Sequence, residues 1–591
     1  MDSTIINPNS NSYASSTEFS ELSKGYCFSQ KKMNYNCHTS FKHKNMKRFF
    51  IIGIILFNIS FHINGQNRLL TTAEQSEFKS TSNYNDVMTF IDQLKKSSKY
   101  IRVETIAKSV EGRDVPLLII GNPLPESPEQ LTKDNRIVIY IQANIHAGEV
   151  EGKEAVLMFA RDLLSGKNPD LLKNIVFLLC PNFNPDGNEQ ISPSNRTYQN
   201  GPVNGVGVRH NGQLLDLNRD AMKAESPEVR GVISNVFNKW DPAVFMDCHT
   251  TDGSYHIEPV TFTWMVNPNG DNSLIRYMRD RMIPEMSGTL LKKYSVENCY
   301  YGEFNDMMKP ENGWFYDASD PRYMSNYYGL RNRLGILNEN YVYADYESRV
   351  KGCYWLIHSL ADYVISHRSE IKNMLREVDA KTVQRGLSSS VTDSFAIEFK
   401  VRPVPEMVTV KTYEAELIID ADGRRRLQKS DRQKTVTVPY FIDYYGSKNV
   451  RLPFAYLVNT HDPEIISLLK THCILLEELS GDSKIEVERF EISELMGSSR
   501  LNQGHYTNTI KGRFVKGSID FPAGTLVIRM AQPLANLAAY LLEPQSNDGL
   551  MTWNFFDRYL VPQWGMGYNQ YPVFKVIEKA DLKTVKLPPA P

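Results

Sequence analysis

Two short stretches constrain the fold of this chain more than any other feature. Ile137 to Ile145 reads IVIYIQANI and Ile175 to Cys180 reads IVFLLC, runs of strand length that are apolar almost throughout. A strand with one wet face alternates polar and apolar residues, so a continuous apolar run has to be covered on both faces. Helical spacing supplies the cover. Glu149 to Leu164 places Val156, Leu157, Ala160, Leu163 and Leu164 on one stripe, and Pro227 to Trp240 reads as a second helix. A short strand follows from Ala243 to Cys248, another from Leu334 to Leu337, then a long helix near Arg349 to Met374. The alternation predicts an α/β unit over residues 81–375, with a mostly parallel or mixed sheet flanked by helices.

From about Ala380 the pattern changes. Met407 to Ile419, Thr435 to Tyr444, Ile485 to Ile492 and Gly524 to Met530 are β-branched or alternating, separated by turn signals such as Asp422-Gly423 and Gly481-Asp482. Residues 380–583 are expected to form one or two β-rich accessory domains, with a helical insert near Pro463 to Lys470. The basic cluster Arg424-Arg425-Arg426, beside Asp420, Asp422 and Gly423, reads as a solvated hairpin tip. A chain of 591 residues exceeds what one compact core sustains, which agrees with more than one domain.

Near the start, Met46 to Gly65 reads MKRFFIIGIILFNISFHING: a basic opening, an apolar run, and a more polar stretch ending in a small residue. This is the layout of a secretory signal peptide, and the run falls short of the roughly 20 apolar residues that span a bilayer. Residues 46–65 are therefore expected to be a signal peptide and 1–45 an upstream or disordered segment. The protein is expected to be secreted or periplasmic, without a stable membrane span after cleavage. With 67 basic and 68 acidic side chains, the formal net charge of -1 gives no reason to expect nucleic acid as a partner. Cys180, Cys248, Cys299, Cys353 and Cys473 follow the signal without closely placed pairs, which argues against a disulfide scaffold or a cysteine-type zinc site.

The first chemical signal is Asn144-Ile145-His146-Ala147-Gly148-Glu149. A histidine closing a buried strand lies at the sheet edge where α/β proteins place their ligands. A glutamate three residues on, across a turn containing Gly148, can return to the same point. His249 closes another strand, AVFMDCHTT, and could complete a three-ligand catalytic zinc site that keeps one position open. His-x-x-Glu alone is a weak motif, since a lone strand-end histidine is more often hydrogen-bonded than ligating. His256 reads as a pocket or hydrogen-bonding residue rather than a ligand.

Company strengthens the motif. His146-Ala147-Gly148-Glu149, Asn184-Pro185-Asp186-Gly187, Asp216-Leu217-Asn218-Arg219 and Asp247-Cys248-His249 occur in this order. Over roughly Thr81 to Arg368 the series resembles the zinc carboxypeptidase family of carboxypeptidase A type. The resemblance implies that family's fold and one Zn2+ per chain, held by His146, Glu149 and His249. It implies that Asn218 and Arg219 bind the free C-terminal carboxylate of a peptide, a task suited to a forked guanidinium. It also implies Glu339, closing Gly335-Ile336-Leu337-Asn338-Glu339, as general base. Arg196 would polarise the scissile carbonyl, with Arg209 as rival. Tyr316 would close over the substrate, with Tyr323, Tyr327 and Tyr328 as rivals. The Asn/Gly-rich loop between Pro185 and Asp216 departs from the classical members and leaves the substrate geometry open. The expected function is a secreted zinc metallocarboxypeptidase. The alternatives are an aspartoacylase-like deacylase of N-acyl amino acids and a non-catalytic secreted binding protein on a peptidase scaffold.

Overall fold

The computed structural model describes residues 68–588 apart from 389, 391, 392 and 421. The expected upstream segment and signal peptide, residues 1–65, lie outside the described residues. Among the described residues, no helix is long and apolar enough to cross a membrane.

Among the described residues, ten strands precede residue 342: β1 (Ile101–Lys108), β2 (Asp114–Ile120), β3 (Ile137–Ala143), β4 (Ile175–Cys180), β5 (Val244–Thr251), β6 (Val260–Trp264), β7 (Asn298–Tyr300), β8 (Glu303–Phe304), β9 (Trp314–Phe315) and β10 (Leu334–Tyr341). Eight of them form one mixed sheet in the order β1-β2-β4-β3-β5-β10-β6-β7. Its centre, β4-β3-β5-β10, is parallel, whereas β2 runs against β4 and β6 against β10. β3 and β4 are buried at every residue, which is why their sequences do not alternate.

Successive side chains of these strands serve two different cores. Ile139, Ile141 and Ala143 pack with Leu157 and Phe159 of the helix Glu151–Leu164 and with Leu356 and Leu360 of the helix Tyr346–Ser388. Val138 and Tyr140 join a core that includes Val229 and Val232 of the helix Pro227–Val232 and Phe237 of the π-helical stretch Ile233–Asn238 that continues it. Tyr327 and Tyr328 of the helix Met324–Leu330 complete that layer.

After the long helix the chain makes a hairpin of β11 (Ser394–Ile419) and β12 (Arg425–Arg451), whose tip holds Gly423 at φ 81°. β12 also pairs with β9, so the hairpin is hydrogen-bonded to the α/β unit. The strands β13 (Ala455–Val458), β14 (Glu477–Leu479), β15 (Ser483–Gly497), β16 (Asn508–Phe521), β17 (Leu526–Arg529), β18 (Val573–Val576) and β19 (Thr584–Lys586) form a final sheet in the order β16-β15-β18-β13-β17-β14-β19. Helices Pro463–Thr471 and Ala535–Leu542 accompany it. Tyr456, Leu468, Tyr540 and Leu541 belong to the same buried cluster as Phe237 and Tyr327. The β-rich region thus shares a core with one face of the first sheet, and from Leu69 onward the chain is one compact unit.

Candidate metal centre

The site lies at the carboxyl ends of β3, β5 and β10. Where β3 ends, Asn144 adopts φ 65°, a left-handed conformation that asparagine tolerates better than most residues. Its Nδ2 donates to Asn182 Oδ1 at 2.8 Å and Asn188 Oδ1 at 3.0 Å, which fixes the bend. The chain then turns tightly, Glu149 N–H donating to His146 O at 2.9 Å. Gly148 is required within this turn, because a Cβ there would stand 2.5 Å from Arg196 Cδ. The Asn-Pro-Asp-Gly turn braces the assembly from behind: Asn184 Nδ2 donates to Ile145 O and Arg209 O. β5 and β10 are parallel neighbours in a register that sets Glu339 beside His249.

His146, Glu149 and His249 converge. Their ligand atoms lie within 4.8 Å of one another, and all three residues are buried. Glu149 Oε1 is 3.1 Å from His146 Nδ1, Glu149 Oε2 is 3.1 Å from His249 Nδ1, and the two Nδ1 atoms are 3.3 Å apart. The outer nitrogen of His146 lies 2.9 Å from Asp216 Oδ1, an arrangement that suits a proton on the outer nitrogen and a lone pair on Nδ1 turned inward. His249 Nε2 lies 3.0 Å from Asp247 Oδ2. Two inward imidazole nitrogens and a carboxylate are the donor set of a catalytic zinc site, and such close approach is repulsive unless a cation or a proton sits between them. The residues present therefore fit zinc.

The electrostatics agree. Burial pushes the Glu149 carboxyl up, but His146 and Arg196 pull it well below the usual carboxylate range. Asp216 behaves alike: burial raises it, and His146 and Arg209 bring it well down. Burial lowers His249, while Asp247 and Glu149 lift it well above the usual imidazole range. The pocket is built to hold positive charge at its centre. Glu339, half-buried at the rim, has its carboxyl pushed up to about 8 by burial, a rise that His249 and the arginines oppose and Glu149 reinforces.

A cleft of about 290 Å³ opens beside the cluster, lined by Arg196, Arg209, Asn218, Arg219, Tyr316 and Glu339 among others. The structure thus brings every sequence-proposed site residue to one place. Arg196 Nη1 donates to Glu149 Oε1 at 2.9 Å and its Nη2 to Thr250 O at 3.2 Å. Arg209 Nε donates to Asp216 Oδ2 at 2.8 Å, and its Nη1 lies 3.6 Å from Glu149 Oε1. Arg219 stacks on Tyr323 with 4.5 Å between guanidinium carbon and ring centroid, and its nearest contact to Asp216 is a long 3.8 Å. Asn218 Oδ1 accepts from Met324 N at 3.0 Å. Tyr316 is buried, its ring edge-on to Tyr301. Tyr327 and Tyr328, weighed against it, belong to the hydrophobic core.

Three contributors went unassigned in the sequence. Asp216 and Asp247 stood inside the quoted motifs without a role. Asp247 was within reach, because residues two apart on a strand share a face. Gln503, in the loop between β15 and β16, accepts from Asp216 N–H at 2.7 Å, and no sequence signal pointed to it.

Residues 87–264 match the family model described as zinc carboxypeptidase. Carboxypeptidase 2 of Trichophyton tonsurans is 21% identical over 496 residues, covering 79% of this chain and 81% of that protein. Carboxypeptidase Z of Mus musculus is 33% identical over 129 residues, 21% of this chain and 18% of that protein. Among solved structures, a metallo-carboxypeptidase from Burkholderia cenocepacia is similar at 18% identity and a TM-score of 0.36, over 48% of this chain and 69% of that one. The family match contains His146, Glu149, Arg196, Asn218, Arg219 and His249. Tyr316 and Glu339 lie beyond it.

Proposed function

Since the chain belongs to the zinc carboxypeptidase family and is a metal-dependent hydrolase, we propose that it is an exported enzyme that releases C-terminal residues from peptides. Against the reading as a non-catalytic binding protein stand the intact His146–Glu149–His249 cluster and Glu339 beside it. The observation that carries the proposal is Arg219. Its planar fork stands in the same small cleft as the His146–Glu149–His249 cluster, tied to Asp216 only at long range. A guanidinium so placed can take a terminal carboxylate through two parallel hydrogen bonds, with Asn218 beside it.

His146, Glu149 and His249 would hold the zinc, which when bound supplies Lewis acidity at neutral pH. Asp216 holds the His146 ring in the inward-facing tautomer. Glu339 takes a proton from the attacking water and hands it to the leaving amine, for which a raised carboxyl pKa is suited. Arg196 and Arg209 set positive charge beside the ligands, where negative charge grows on the scissile carbonyl oxygen. Tyr316, which lines the same cleft, would cover the substrate. Export rests on the signal-like segment at residues 46–65.

Three substrates test this: an N-blocked dipeptide with a free C-terminus, its C-terminal amide, and an N-acetyl amino acid. Chelator-sensitive hydrolysis of the first, with little of the other two, is the expected result. Preferential cleavage of the N-acetyl amino acid would make the enzyme a deacylase.

A further inference from the structure

Outside the catalytic cluster, three buried side chains meet where the segment after β5, strand β7 and hairpin strand β11 come together. The ligand-capable atoms of His256, Glu258 and Cys299 lie within 4.8 Å of one another. His256 and Glu258 are each 3% exposed and Cys299 5%. His256 Nδ1 is buried without a hydrogen-bond partner and lies 3.8 Å from Glu258 Oε2. Its ring is held in place by stacking on Tyr341, with centroids 3.6 Å apart. Glu258 accepts from main-chain N–H groups, Lys411 at 3.0 Å and Ile257 at 3.3 Å. The Lys411 ammonium turns instead to Glu297, at 2.7 Å. Cys299 is a free thiol. A buried orphan nitrogen beside a carboxylate without a close cation is costly unless something completes the set.

We propose that His256, Glu258 and Cys299 form a second metal site, which takes a divalent transition metal of the zinc class. Imidazole, carboxylate and thiolate are all zinc donors, and the thiolate discriminates against Mg2+ and Ca2+. The charge closes as well: one carboxylate and one thiolate cancel the two positive charges of the ion, so a neutral assembly is buried. As the sulfur–metal bond forms, the Cys299 thiol proton leaves to solvent, and no oxidant or reductant is needed. Burial also raises the Glu258 carboxyl and the Cys299 thiol, so Glu258 too gives up its proton to solvent as the ion binds, while His256, which burial keeps neutral, gives up none. The role of the ion is to tie elements together. His256 forms a β-bridge with Thr412, and Glu258 holds the Lys411 main chain, so the metal pins the β11–β12 hairpin to the first sheet.

The test uses full-length protein reconstituted with Zn2+, freed of unbound ion and assayed by elemental analysis. Two ions per chain are expected in the wild type, one in His249→Ala, and none in His249→Ala/Cys299→Ser. Reconstituted with Co2+, wild type and His249→Ala should show near-ultraviolet thiolate-to-cobalt absorption. Cys299→Ser should lose that band yet keep one ion and its peptidase activity. His256→Gln, checked for native folding by near-ultraviolet circular dichroism, is the second removal and should behave like Cys299→Ser. One ion in the wild type, lost entirely in His249→Ala with no thiolate band, overturns the second site and leaves the proposed function standing. No ion in the wild type overturns both.

Discussion

The two clusters share imidazole and carboxylate donors in opposite settings, with Cys299 standing in the second where the first has another histidine. Around His146 and His249, charged groups crowd the donors: Asp216, Asp247, Arg196 and Arg209 all lie within bonding reach of a ligand or of its immediate partner. Around His256 and Glu258 stand the Tyr341 and Trp314 rings and the main-chain N–H groups of Ile257 and Lys411. The first cluster opens onto a cleft and the second is sealed. A metal that must meet substrate needs oriented, tuned ligands and a way in, whereas one that joins strands needs neither. Access and outer partners, more than donor identity, separate the two.

His249→Ala should divide the clusters most widely. Peptidase activity, read as kcat/KM, falls to background, while the thiolate-to-cobalt band survives. Glu339→Gln comes next: kcat should fall by about 10²- to 10⁴-fold with metal content unchanged, the effect of removing a proton carrier. Loss of metal together with activity would instead make Glu339 part of the ligand shell. Arg219→Ala should raise KM for free-acid peptides by about 10- to 100-fold, since a hydrogen bond to a charged group contributes roughly 1.5–3 kcal/mol. Measured on the amide of the same peptide, the change should be small. Asp216→Asn should weaken zinc affinity at the catalytic cluster by about tenfold, as loss of a carboxylate behind a ligating histidine does, and competition with a chelator measures it. Smallest in its effect on turnover is Cys299→Ser, which should keep kcat/KM near wild type and lower Tm only in the zinc-loaded protein.

Much of the fold was legible because burial leaves a mark on composition. β3 and β4 could be read from unbroken apolar runs, and the helix Glu151–Leu164 from its stripe. The hairpin is longer than the sequence suggested, β11 and β12 extending well past Met407 to Ile419 and Thr435 to Tyr444. A two-stranded ribbon with wet faces tolerates charges such as Arg432, which pairs across the strands with Glu414 and Glu416, and such residues hide a strand from a reading based on hydrophobicity. The helix Ala535–Leu542 was missed for the opposite reason. ANLAAYLL is buried all round, so it carries no stripe to betray its period. At the site, the ligands were legible from four motifs in order. The meeting of Cys299 with His256 and Glu258 was not, because only folding brings β7 beside them.

The bond from Asp216 N–H to Gln503 reaches further than its length suggests. It links the carboxylate that aims His146 to a loop deep in the C-terminal third, whose helices also cover Tyr327 and Phe237. That third is therefore no cassette to be trimmed from the enzyme or traded between proteins. A shortened product ending near Ser388 would bare an oily face and unmoor the residue that steadies His146, so solubility and the shape of the candidate site would be lost in one stroke.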